Sequence, residues 1–217
     1  MLHDIAWVRA LDCKPLLDFL GVVMPEGGEC VSAGGDFVSG RDVGSKYQRL
    51  HSDIGPWDCE SDDQVEQLCV PFPPPYISAN IAVQHIGSDN GPMRIIPGSQ
   101  TICGTAYRER VAIPSCTDEP ESWLASVLQP MHPGDILVRD VRVLHGGTPN
   151  RSLETRFLPS LEFATRSLRN HSTGEWPARW EMQASMPMEH YKCLSEQARA
   201  WCSPSIVSMK VLDSGWR

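Results

Sequence analysis

Residues 135–156 read Asp-Ile-Leu-Val-Arg-Asp-Val-Arg-Val-Leu-His-Gly-Gly-Thr-Pro-Asn-Arg-Ser-Leu-Glu-Thr-Arg. The opening run, Asp135 to His145, is rich in β-branched and aliphatic side chains and predicts a strand. Glu154 to Thr165 (ETRFLPSLEFAT) predicts another. Between them Gly146 to Ser152 is a cluster of turn residues. Strand, turn and strand together predict a hairpin that returns Arg156 to the neighbourhood of His145.

Upstream, Lys46 to Leu50 reads as a strand leading into His51-Ser52-Asp53. Residues two apart on a strand share a face, so the His51 imidazole and the Asp53 carboxylate can grip one ion. Alone, such a triplet is more often a hydrogen-bonded surface pair. His145 is the candidate third ligand. Two histidines and a carboxylate on one side of an octahedron leave the other side open, the arrangement of non-haem Fe(II) oxygenases. Arg156 offers a planar fork for a carboxylate held end-on. A dicarboxylate that chelates iron through its keto-acid end and reaches Arg156 with the other is 2-oxoglutarate.

The ordered succession His51-Ser-Asp53, Asn90-Gly-Pro-Met-Arg-Ile-Ile-Pro-Gly-Ser99, Pro133-Gly-Asp135 and His145-Gly-Gly-Thr-Pro-Asn-Arg-Ser with Arg156 resembles the phytanoyl-CoA dioxygenase family, from about Tyr47 to Phe163. The resemblance implies Fe(II) held by His51, Asp53 and His145, with 2-oxoglutarate held by Arg156 and O2 as the oxidant. It further implies Gln48 as a cosubstrate contact, and Ser88 in place of a threonine that some relatives carry. Gln100 stands where the family often has histidine, and only 50 residues precede the first ligand, so an N-terminal segment is short or missing. Related halogenases replace the carboxylate with a small residue, and the presence of Asp53 disfavours halogenation.

Composition fits one enzyme domain spanning residues 1–217. A net charge of −8 argues against a broad nucleic-acid surface. No segment has the apolar length of a membrane span, and the Met-Leu-His-Asp start lacks the features of a signal peptide; the chain reads as soluble and cytoplasmic. Cys13, Cys30, Cys59, Cys69, Cys103, Cys116, Cys193 and Cys202 include no Cys-x-x-Cys and read as free thiols.

Lys14 to Val22 predicts a short amphipathic helix, and Gly27 to Gly44 a loop with a brief strand near Cys30 to Ser32. The proline-rich stretch from Ser52 to Tyr76 reads as a lid. Ile77 to Ile86 (ISANIAVQHI) is the clearest strand, with Ile77, Ala79, Ile81, Val83 and His85 on one face. Asn80, on the other face, is assigned to the cosubstrate pocket, while Gln84 is read as an amide on an exposed face and His85 as structural. Asp89 to Pro92 predicts a hairpin turn, with Met93 to Ile96 as the returning strand. Pro120 to Leu128 is expected to contain a short helix around Trp123. Met186 to Cys202 is the best helical stretch, with Met188, Tyr191, Leu194, Ala198 and Trp201 as its apolar stripe. His3, His132, His171 and His190 read as structural or exposed. Arg94, Arg139, Arg142, Arg166 and Arg169 read as surface residues, with a substrate anion as the alternative.

The elements sum to a mainly β fold: a double-stranded β-helix (jelly roll, cupin-like) with flanking α-helices. The expected activity is oxidation, chiefly hydroxylation, of a small organic molecule coupled to decarboxylation of 2-oxoglutarate to succinate. The alternatives are a non-catalytic jelly-roll binding module and a metal-dependent cupin enzyme that does not use 2-oxoglutarate. The substrate pocket falls on loops, whose side chains a single sequence does not order in space.

Overall fold

Runs of aliphatic and β-branched residues supply the strands of the protein, seen in a computed structural model that describes residues 2–40, 46–53, 73–101, 126–166 and 186–202. The strands are β1 (Gly28–Val38), β2 (Tyr76–Ile81), β3 (Met93–Ile95), β4 (Val127–Gln129), β5 (Ile136–Asp140), β6 (His145–Gly147) and β7 (Arg156–Thr165). One sheet has the order β1-β7-β2-β5 and the other β4-β3-β6. Helices α1 (Ile5–Leu11) and α2 (Lys14–Val23) come before the strands, and α3 (Met188–Cys193) and α4 (Glu196–Ala200) after them. The fold is mainly β, a double-stranded β-helix with terminal helices. No helix among the described residues is long and apolar enough to cross a membrane.

The chain divides into two compact units, residues 1–34 with 161–217 and residues 35–160. In the first, Asp4 caps α1 by accepting from the Ala6 N–H, and α2 buries Leu16, Leu17 and Leu20. Asp12 accepts hydrogen bonds from both the backbone N–H and the hydroxyl of Ser195, while Trp201 meets Phe163 edge-on at 6.0 Å. Cys13, Cys30, Cys193 and Cys202 are free thiols, as the sequence predicts.

The second unit holds the candidate site. Its core is a cluster of Ala82, Ile86, Met93, Ile95, Met131, Val143 and Leu158, with Leu137 packed against it. Strands of both sheets contribute to this cluster, and burying it is the main force holding the unit together.

Several expectations are corrected. The loop predicted over Gly27 to Gly44 is largely the eleven-residue strand β1. Its Gly34-Gly35 pair serves a close approach rather than a turn: a Cβ on Gly35 would stand 2.4 Å from the Pro159 Cα. The strand predicted to reach Ile86 ends at Ile81, beyond which the isolated Ile86–Met131 bridge continues the pairing, and Gln84 donates to the Thr155 carbonyl and accepts from the Phe157 N–H. Gln84 is therefore a bracing residue, half-buried rather than exposed. His85 lies exposed, its ring 5.5 Å from that of His132.

The two predicted hairpins are also absent. Both edges of β2 are occupied, by β7 and β5, so β3 cannot return along it and pairs with β4 and β6 instead. The run Asp135 to His145 breaks at Asp140, whose carboxylate accepts from the backbone and guanidinium of Arg142 in a tight turn. β6 and β7 consequently belong to different sheets. The long C-terminal helix is two short ones, because Ser195 caps α4 by accepting from the Ala198 N–H. Most of the stretch expected to hold a helix around Trp123 lies outside the described residues, and its end, Val127 and Leu128, is in β4; most of the expected lid, His171, Arg169 and the remaining cysteines also lie outside the described residues.

Candidate metal centre

His51 and His145 form an antiparallel bridge in which each backbone N–H donates to the other's carbonyl at 2.9 Å. Residues directly opposite in such a pair project to the same side, and Asp53, two residues on, joins them. A further bond from the Asp53 N–H to the Val141 carbonyl, 2.9 Å, fixes the end of the segment. The Asp53 Oδ1 lies 3.7 Å from His51 Nε2 and 3.5 Å from His145 Nε2. One donor atom from each of the three residues falls within 4.8 Å of the others.

Both imidazoles are oriented from behind. His51 Nδ1 lies 3.0 Å from the Arg49 carbonyl and His145 Nδ1 2.9 Å from the Val143 carbonyl. A carbonyl only accepts, so each Nδ1 carries the proton and each Nε2 turns a lone pair toward the shared space. Burial, followed by the Arg139 cation, pushes the His145 pKa down to about 3, and the ring is neutral at physiological pH. Burial also works against the Asp53 carboxylate, but the positive charge beside it, with the Arg139 guanidinium 2.6 Å from Oδ2, outweighs burial and holds the group below the ordinary carboxylate range. Imidazole nitrogens beside an ionised carboxylate are the donors a hard to borderline divalent cation takes.

Arg156 begins β7 and is buried, at 3% exposure. Its Nε–H donates to the Gly91 carbonyl at 3.1 Å, and its buried Nη1 has no hydrogen-bond partner among the described residues. Burial draws its pKa down, with Asp36 opposing. A buried, unpaired guanidinium nitrogen is costly and is the complement of an anionic ligand.

The other candidates are placed differently. Gln48 accepts from the Gly147 N–H at 3.0 Å, which seats its side chain against the strand that carries His145. Asn80 is buried and accepts from Arg139 Nε at 3.3 Å. Ser88 is an exposed turn residue, and none of the contacts that assemble the triad involves it. Arg139, read from the sequence as a surface residue, has an inward side chain only 8% exposed, with Nη1 2.6 Å from Asp53 Oδ2. Its place next to Asp140, in a run of alternating charge, gives no sign of this.

Several motif residues shape the site without facing it. Ser99 donates to the Ile96 carbonyl at 2.6 Å and accepts from the Leu144 N–H at 2.7 Å, fixing the residue before His145. Thr148 donates to the Pro92 carbonyl. Asn150 ties Val38 and Glu154 together through its amide N–H groups.

Imidazole and carboxylate donors converging in this way are the donor set that non-haem iron oxygenases use. Over half of the sequence, residues 36–158, matches the family described as Phytanoyl-CoA dioxygenase (PhyH), and the chain belongs to that family. Iron, 2-oxoglutarate and dioxygen are the cofactor and cosubstrates of the class. Similar solved structures include the non-heme alpha ketoglutarate dependent epimerase SnoN from nogalamycin biosynthesis, at 17% identity over 72% of this chain and 55% of that one, with a TM-score of 0.52. EctD from S. alaskensis is 19% identical over 75% of this chain and 53% of its own, with a TM-score of 0.52. AviO1 from Streptomyces viridochromogenes Tue57 is 18% identical over 71% and 58%, with a TM-score of 0.51. The chain thus spans little more than half the length of these structures, and the likeness is one of fold. No curated protein matches the sequence.

Proposed function

We propose that the protein is an Fe(II)/2-oxoglutarate-dependent dioxygenase that hydroxylates a small organic molecule, with His51, Asp53 and His145 as the iron ligands and Arg156 as the anchor of the cosubstrate. The observation that carries this reading is the convergence of His51 Nε2, His145 Nε2 and Asp53 Oδ1, with both imidazoles backed by carbonyls. The unpaired Nη1 of Arg156 fits the distal carboxylate of 2-oxoglutarate. Bound iron would supply the oxidising chemistry, with 2-oxoglutarate leaving as succinate and CO2.

The residues of the chain bind and orient. Asp53 supplies negative charge that offsets that of the cation, and the carbonyls of Arg49 and Val143 keep the imidazoles from rotating. Arg156, held by the Gly91 carbonyl, fixes the far end of the cosubstrate and so limits its rotation about the metal. Asp53 stands where related halogenases carry a small residue, and a carboxylate ligand there would favour oxygen transfer over halogenation. Asn80, Gln48 and Ser88 remain proposed cosubstrate contacts, Asn80 through its place beside Arg139.

Coupled succinate formation tests the reading. Protein supplied with Fe(II), ascorbate and 2-oxoglutarate is expected to make succinate, and H145A and D53A to make none. SnoN, named an epimerase, has the same fold, so product analysis has to accompany the succinate assay. Absence of succinate across a broad substrate panel would favour a binding module. Activity that survives R156L would favour a cupin enzyme independent of 2-oxoglutarate.

A further inference from the structure

Asp53 divides its two oxygens between two tasks. Oδ1 faces both Nε2 atoms, at 3.7 and 3.5 Å, whereas Oδ2 lies 2.6 Å from Arg139 Nη1. The guanidinium is itself fixed. Arg139 is opposite Ser78 in the β2–β5 ladder, so its neighbour along the same face is Asn80, which accepts from Nε at 3.3 Å. Leu137, on that face two residues earlier, packs against the core cluster, which marks the face as the inner one. A charged side chain 8% exposed on an inner face has a desolvation cost that a structural role on the surface would not carry.

The reaction proposed above gives this placement a purpose. Three protein donors would leave three positions on a six-coordinate ion for the keto acid and dioxygen. A carboxylate that turned both oxygens to the ion would take one of the three. We propose that Arg139 is a positioning residue that reserves Asp53 Oδ2, so that Asp53 offers a single oxygen to the metal and the cosubstrate side stays open. Asn80 holds the guanidinium in line for that task. The inference rests on the assignment of His51, Asp53 and His145 as ligands.

Anaerobic Co(II) titration followed by absorption spectroscopy, then 2-oxoglutarate titration of the Co(II)-loaded protein, tests this role without turnover. R139L is expected to bind Co(II) about 10- to 100-fold more weakly than wild type, the usual loss when a residue that orients a ligand is removed. Its Co(II) spectrum is expected to shift, and its affinity for 2-oxoglutarate to fall. Wild-type Co(II) affinity and spectrum in R139L would overturn the inference. So would a loss of 2-oxoglutarate affinity with the Co(II) spectrum unchanged, which would make Arg139 a ligand-binding arginine. If R139L does not fold, R139K decides: it keeps the charge but cannot span Asp53 and Asn80, and Co(II) affinity equal to wild type in that variant overturns the role. Failure of the wild-type protein to bind Co(II), or unchanged binding in H51A and H145A, would instead sink the ligand assignment itself.

Discussion

Arg156 donates its Nε–H to the carbonyl of Gly91, 65 residues earlier in the chain, at 3.1 Å. That carbonyl is available because Gly91 has a φ of +82° and its Cα lies against the Thr148 carbonyl, where a Cβ would stand 3.0 Å away. G91A is therefore expected to cost about 1–2 kcal/mol of stability through backbone strain. It should also raise the 2-oxoglutarate concentration needed for half-maximal rate, because the acceptor of Arg156 moves. Chemical denaturation and steady-state kinetics check both effects.

The unpaired nitrogen of Arg156 makes a stronger prediction. R156L removes a charged partner from a buried carboxylate contact, a loss of about 2–3 kcal/mol or roughly 30- to 150-fold in cosubstrate affinity. R156K is expected to fall between, since an ammonium cannot reproduce the fork. Equilibrium binding of 2-oxoglutarate to the metal-loaded protein is the measurement, and metal affinity should change little.

Ser99 is 1% exposed and stitches the turn after β3 to the residue before His145. S99A leaves the buried Leu144 N–H without that acceptor, which costs about 1–3 kcal/mol. For a chain of this length each kcal/mol lowers the melting temperature by roughly 2–4 °C, so calorimetry should resolve the loss.

The metal-free protein should lose stability on mild acidification. The pKa of His145 falls from 6.5 to about 3 on folding, so between those values the unfolded chain binds a proton that the folded one does not. Stability then rises with pH through this window and declines as pH drops below 6.5. At pH 5 the loss relative to pH 7.5 is about 2 kcal/mol. Asp53, whose pKa is also lowered on folding, adds a loss of the same sign only as pH falls below its ordinary value of 3.8. Urea unfolding in chelator at pH 7.5 and 5 is the test, and H145Q should flatten the dependence.

Sequence determined the mainly β class, the α2 helix and the three side chains that converge as candidate donors, because alternation and turn chemistry are local and because imidazole and carboxylate groups can be recognised by type. The ordered motifs also determined the family. Tertiary structure alone decided how the parts meet. Arg156 does reach a defined berth, but through Gly91 rather than through a hairpin, since β6 and β7 lie in different sheets. The strand predicted past Ile81 ends there, and the amide of Gln84 finds partners at Thr155 and Phe157, which are distant in sequence. Arg139 offers the sharpest contrast. Nothing near it in sequence separates a surface cation from one buried against Asp53, because the difference lies in which strand β5 pairs with and which carboxylate that pairing brings within 2.6 Å. Periodicity and residue type can be read along the chain, whereas partners across the fold are set by pairing and burial that only the assembled sheets define.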